Sequence, residues 1–106
     1  MKNVLFEGKT EYADYIKLTY VISDGEFTMS QYEFDKADKS ELFKQQDFEI
    51  THSFTINKWF TKKLLGLITE EKIKEKYGNE DGFIDFQEFC EKNKIEIESG
   101  LSIYNE

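Results

Sequence analysis

The sequence predicts an α+β domain: a three-stranded antiparallel meander, then two or three short helices, with a further short strand in the C-terminal tail. Three observations carry this. Apolar residues recur with a period of two between residues 15 and 54, and from residue 57 the period becomes that of an amphipathic helix. An Asp-Gly pair, Asp24-Gly25, separates the first two alternating runs and is a strong hairpin signal. At 106 residues the chain has the length of one domain, read here as residues 1–106.

Residues 1–14 carry little periodic signal. In the first run Ile16, Leu18, Tyr20 and Ile22 alternate with Lys17 and Thr19, which reads as a half-buried strand. The return strand begins at Phe27 and keeps phase through Met29, then changes it at Tyr32 and Phe34. A one-residue slip moves side chains to the other face, so that change predicts a bulge. Residues 35–46 are charged and read as a loop or one short helix. A third strand over residues 47–54 places Phe48, Ile50, His52 and Phe54 on one face.

Beyond it Phe60, Leu64, Leu67 and Ile68 stand at i, i+4, i+7 and i+8, a helical stripe with Asn57 as its N-cap. Thr69-Glu70-Glu71 looks like a second start, a cap followed by acids in the first turn. Residues 58–77 therefore form two helices or one bent helix, closed by Gly78 as a left-handed C-cap. A last helix is expected over residues 86–93. Ile95 and Ile97 alternate, Gly100 interrupts the pattern, and Leu101, Ile103 and Tyr104 follow.

The net charge is −8, and all 14 basic residues are lysine. Without arginine there is no bidentate fork for phosphate or guanine, and the negative charge repels a phosphate backbone, so direct nucleic-acid binding is not expected. An acidic surface attracts basic partners instead. The charge is uneven: residues 58–76 hold six lysines and three acids, against a surplus of acids on either side. No run approaches the ~20 apolar residues of a membrane helix, and the Val4-Leu5-Phe6 patch is too short for a signal-peptide core. With a single cysteine, no disulfide forms within the chain, and a cytoplasmic protein is the economical expectation. Lys, Ile, Phe, Tyr and Asn fill 45 positions, a low-GC signature shared by bacteria, their phages and mobile elements, and some protists.

Residues 76–89, KYGNEDGFIDFQEF, are the one segment whose spacing suggests chemistry as well as folding. With Gly82 at the sixth position of a twelve-residue loop, Asn79 falls at the third, Asp81 at the fifth, Ile84 at the eighth, Asp85 at the ninth and Glu88 at the twelfth. In that order the segment resembles an EF-hand calcium loop. The resemblance implies calcium as a ligand, held by Asn79, Asp81, the Phe83 carbonyl, Asp85 and Glu88. Tyr77 stands at the first position, where the family has Asp, and no second copy of the motif is found. The same residues also read as a helix–turn–helix corner without an ion. Asp85-x-x-Glu88 then forms a capping box, and Ile84 with Phe89 a hydrophobic staple.

His52 lies on the apolar face of its strand and reads as a core or edge residue, and Cys90 as a small buried hydrophobe. One histidine permits no confident triad, phosphate-binding glycine loops are absent, and no enzyme is expected. Trp59 sits at the edge of the apolar stripe, and partial burial is expected for it. Its sharper reading is an anchor for a partner, since tryptophan is enriched at binding hot spots. The functional expectation is a small non-catalytic protein that binds a basic partner protein, of inhibitor or immunity type, through an acidic face imitating nucleic acid. Trp59, Glu80, Asp81 and Glu91 are its candidate contacts. The alternative is a calcium-binding module.

Overall fold

In a computed structural model, which describes residues 2–11, 13–35 and 48–105, the strands and helices follow the order ββββαααβ. The strands are β1 (Asn3–Gly8), β2 (Tyr15–Ser23), β3 (Glu26–Asp35), β4 (Phe48–Ile56) and β5 (Glu98–Asn105). Between β4 and β5 lie α1 (Lys58–Leu67), α2 (Glu70–Tyr77) and α3 (Gly82–Lys92). The strands form one sheet in the order β1-β2-β3-β4-β5, each pair antiparallel. The class is the expected α+β, with five strands in place of three and a short tail strand.

Register explains the two faces. Ile22, Phe27 and Ile56 lie abreast, as do Tyr20, Met29 and Phe54, and Leu18, Gln31 and His52. These rows face the helices, and α1 and α3 both pack on β3. The alternate rows, such as Thr19-Ser30-Ser53 and Val21-Thr28-Thr55, form the opposite face, where the Thr28 and Thr55 hydroxyls bond at 3.1 Å. Phe86 is fully buried at the centre of the core. Its ring stacks on Phe27 (5.3 Å between centroids) and Phe54 (5.9 Å) and meets Tyr77 edge-on (5.1 Å). Cys90 is buried on the same helix, as expected. Its apolar setting pushes the thiol up to about 12.

The β2–β3 hairpin turns as the Asp-Gly pair predicts. Asp24 (φ 53°) and Gly25 (φ 81°) both take positive φ, the backbone of a type I′ turn. Both N-caps also hold: Asn57 accepts from Phe60 N–H at 2.8 Å, and Thr69 from Lys72 N–H at 3.3 Å.

Several expectations need correction. β3 has no bulge, because its pairing with β2 runs unbroken from Phe34 to Glu26. Tyr32 and Phe34 belong to the outer face, while Gln31 and Glu33 continue the inner phase. The irregularity lies in β1, between Val4 and Phe6, and it breaks the alternation that would have marked this edge strand. Gly100 pairs with Ser53 inside β5 and does not interrupt the tail. Leu67 is 52% exposed at the last residue of α1, and Thr61 is buried on that helix. Gly78 ends α2 at φ −83°, outside the left-handed region.

α3 starts at Gly82, four residues before the predicted start. Phe83, Phe86 and Cys90 stand at i, i+3 and i+7, so the earlier start turns all three onto the sheet. Asp85 thus lies inside the helix and Asp81 is its N-cap, without a side-chain capping bond. Ile84 is 61% exposed, and the expected capping box and staple do not form. The helix or loop expected over residues 35–46 lies, beyond residue 35, outside the described residues. No helix among the described residues is long and apolar enough to cross a membrane.

Candidate functional site

The end of β4 and the first turn of α1 set the geometry of the most distinctive surface. The buried Thr61 hydroxyl donates to the Ile56 carbonyl at 3.1 Å and accepts from Phe27 N–H at 3.2 Å. One side chain thus pins α1 to the end of β4 and the start of β3. Phe60 packs against the core, and a helix turns about 100° per residue, so its neighbour Trp59 points away from it. Trp59 is 68% exposed, where partial burial was expected. Its ring meets Phe60 edge-on at 4.8 Å, a contact that orients the indole.

Beside Trp59 the hairpin tip and α1 enclose an open groove of about 550 Å³. Ile22 and Gly25 line it from the hairpin, and Lys58, Trp59, Thr61, Lys62 and Leu65 from α1. Gly25 suits the backbone of the turn and packs close to α1. Its positive φ suits glycine, and a Cβ there would fall 2.8 Å from the Lys58 side chain. The Lys58 stem therefore lies against the turn, and Lys58 contributes to the groove lining. Among the described residues the one ion pair is Lys72–Glu75 (3.4 Å), so the Lys58 and Lys62 ammonium groups have no carboxylate partner.

The other candidate residues are dispersed. Glu80 and Asp81 sit in the α2–α3 connection and Glu91 near the end of α3, and none of them lines the groove with Trp59. That connection is residues 78–81, held by Asn79, whose amide donates to the Lys76 carbonyl at 3.1 Å and whose Oδ1 accepts from Asp81 N–H at 2.9 Å. The Phe83 carbonyl lies within α3 and accepts from Gln87 Nε2 at 3.4 Å. Asp85 and Glu88 share a cleft with Tyr77 and Phe89, and Lys76 and Lys92 border it. Among the described residues no three His, Cys, Asp or Glu side chains gather closely enough to hold a metal ion. Gly82, the glycine of the EF-hand resemblance, serves packing here: a Cβ would fall 1.8 Å from the Tyr77 carbonyl oxygen.

Two further groups are tuned by their setting. Tyr20 is buried and donates to Glu70 at 2.7 Å; burial first, then that bond, raise its pKa well above the usual phenol value. Tyr77 is raised by burial and by the nearby Cys90 and Asp85. His52 is half-buried on the inner face, its ring 6.2 Å from that of Phe83.

The sequence pointed to Trp59 but not to the rest of the groove. Leu65 stands off the Phe60–Leu64–Ile68 stripe, and an apolar residue off the core-facing stripe is the signal that could have found it. Comparison with protein-family models, curated proteins and solved structures returned no match.

Proposed function

We propose that this chain acts by occupying another protein's surface, and that the Trp59 groove is its contact. The observation that supports this reading is Trp59 itself: a large apolar ring left exposed to water, beside a groove with Ile22 and Leu65 in its walls. Water around such a ring is released when a partner covers it, and buried tryptophans dominate binding energies at interfaces. Inhibitors and immunity-type proteins work by this kind of occupation. The nucleic-acid-mimicking form of the reading requires carboxylates gathered on one face. Along α2 they alternate with Lys72, Lys74 and Lys76, whereas α3 carries Asp85, Glu88 and Glu91 ahead of its one lysine, Lys92; the exposed indole beside an apolar groove makes docking there the form we take forward.

The test is affinity capture from cells of the source organism, comparing the wild-type chain with Trp59→Ser and with Glu80→Gln/Asp81→Asn. The reading predicts a protein lost from the Trp59→Ser capture and retained by the acidic-corner variant. The opposite pattern overturns it and returns the acidic face to first place.

A second reading, calcium binding, draws on the cleft where Asp85 and Glu88 meet beside Tyr77. A ligand that binds only the folded state at a hundredfold excess over Kd stabilises it by about 2.7 kcal/mol. A rise in thermal midpoint with calcium but not magnesium, abolished by Glu88→Gln, would support that reading. No rise would leave residues 78–81 as a helix–helix connection.

A further inference from the structure

We infer that the occupant of the Trp59 groove is an acidic amphipathic helix of the partner protein, an inference that rests on the groove being the contact. The first observation is shape. Trp59, Lys62 and Leu65 stand at i, i+3 and i+6, one stripe along the solvent side of α1, and the hairpin tip at Ile22 and Gly25 walls the stripe on one side. A trough between a helix ridge and a second wall receives another helix, whose residues at i, i+3 or i+4, and i+7 fall into it.

The second observation is charge. α1 carries Lys58, Lys62 and Lys63 and no acid, in a chain whose net charge is −8. Lys58 and Lys62 border the groove without a carboxylate partner among the described residues. Lys63 is turned aside, donating to the Lys94 carbonyl at 3.4 Å. The N-terminus of α1 adds partial positive charge beside Trp59. Asp24 and Glu26 flank the hairpin tip but do not line the groove. The side chains that line the groove therefore carry two positive charges and no negative one, against the sign of the whole molecule. Carboxylates flanking the apolar anchors of a docking helix would supply the missing counter-charges, whereas lysines there would meet like charge in a partly desolvated site. The lysines in this lining call for a partner of the opposite charge to the basic one that the net charge suggests.

The experiment uses the full chain and two synthetic amphipathic peptides without tryptophan. Both carry the same Leu and Phe anchors at helical spacing, one with Glu and the other with Lys at the remaining positions. Trp59 is the chain's one tryptophan, so its emission reports on the groove directly. The inference predicts a blue shift with the Glu peptide, a Lys peptide weaker by on the order of tenfold or more, and affinity that falls with added salt. Lys58→Gln/Lys62→Gln should erase the preference while leaving the thermal midpoint in place. The net charge of the chain works against the Glu peptide, which makes that preference a demanding outcome. Equal binding of both peptides, or tighter binding of the Lys peptide, overturns the acidic occupant and leaves the groove reading standing. Binding of neither overturns the docked helix, and the capture comparison then decides the groove reading on its own. A Glu-peptide response unchanged by Lys58→Gln/Lys62→Gln also overturns the inference.

Discussion

Two apolar residues two positions apart on α3, Ile84 and Phe86, should respond very differently to truncation. Phe86 is wholly buried, with its ring against Phe27, Phe54 and Tyr77. Phe86→Ala removes the transfer free energy of the ring and leaves a cavity between two packed layers, which together cost about 3–5 kcal/mol. That is a large fraction of the roughly 5–15 kcal/mol that stabilises a domain of this size. Ile84 is 61% exposed. Roughly two fifths of the ~1.5–3 kcal/mol for full burial is at stake there, about 1 kcal/mol. Alanine returns a few tenths of that through its better helix propensity. Urea unfolding followed by far-UV circular dichroism measures both. With a slope of about 2 kcal/mol per molar, Phe86→Ala should lower the midpoint by about 2 M and Ile84→Ala by less than about 0.5 M. Equal losses would mean that α3 is rotated from the face described, with Ile84 acting as the staple that residues 84–89 suggest.

Three other perturbations probe the framework. Gly66 in α1 has open space around it, so Gly66→Ala should stabilise by about 0.5–1 kcal/mol, whereas Gly82→Ala must displace the Tyr77 carbonyl and should cost about 1–3 kcal/mol; thermal melts separate the two signs. Thr61→Val keeps the shape but removes both hydrogen bonds, leaving the buried Phe27 N–H without its partner, and should cost about 1–3 kcal/mol in the same assay. Stability should also fall in alkali. Folding raises the Cys90 thiol from 9.0 to about 12 and raises the Tyr20 and Tyr77 phenols from 10.0. Above the unfolded-state values the unfolded chain therefore binds fewer protons than the folded one, and stability declines as pH rises from about 9 towards the folded values. Thermal midpoints across that range should begin their decline about one unit later in Cys90→Ala, where only the tyrosines remain, and an unchanged onset would contradict this assignment.

The parts of the fold that were legible in the sequence are those in which one local rule decides. Asp24-Gly25 fixed the hairpin through its backbone preference, Asn57 and Thr69 marked helix starts by capping, and the alternation of β2 and β4 exposed their buried faces. β1 was not legible: it is six residues long at a sheet edge, and its irregularity between Val4 and Phe6 spoils the period. In residues 76–89 local rules competed. Capping chemistry favoured a start near Asp85, while burying Phe83 against Phe54 favoured Gly82, and tertiary packing decided. The groove was illegible for a different reason. It joins Ile22 and Gly25 to residues of α1 more than 30 positions away, and no periodicity within either segment encodes that meeting. Trp59 was legible as an aromatic near a helix start, but the direction of its ring depends on Phe60 taking the core-facing position beside it.

Acrylamide quenching of Trp59 emission, measured for the chain alone and in complex with the protein captured through it, shows whether a partner covers the groove. Docking at the groove gives strong quenching in the free chain and protection with a blue-shifted emission in the complex. A stable complex in which Trp59 remains as quenchable as in the free chain would contradict it, because the partner would then be bound elsewhere.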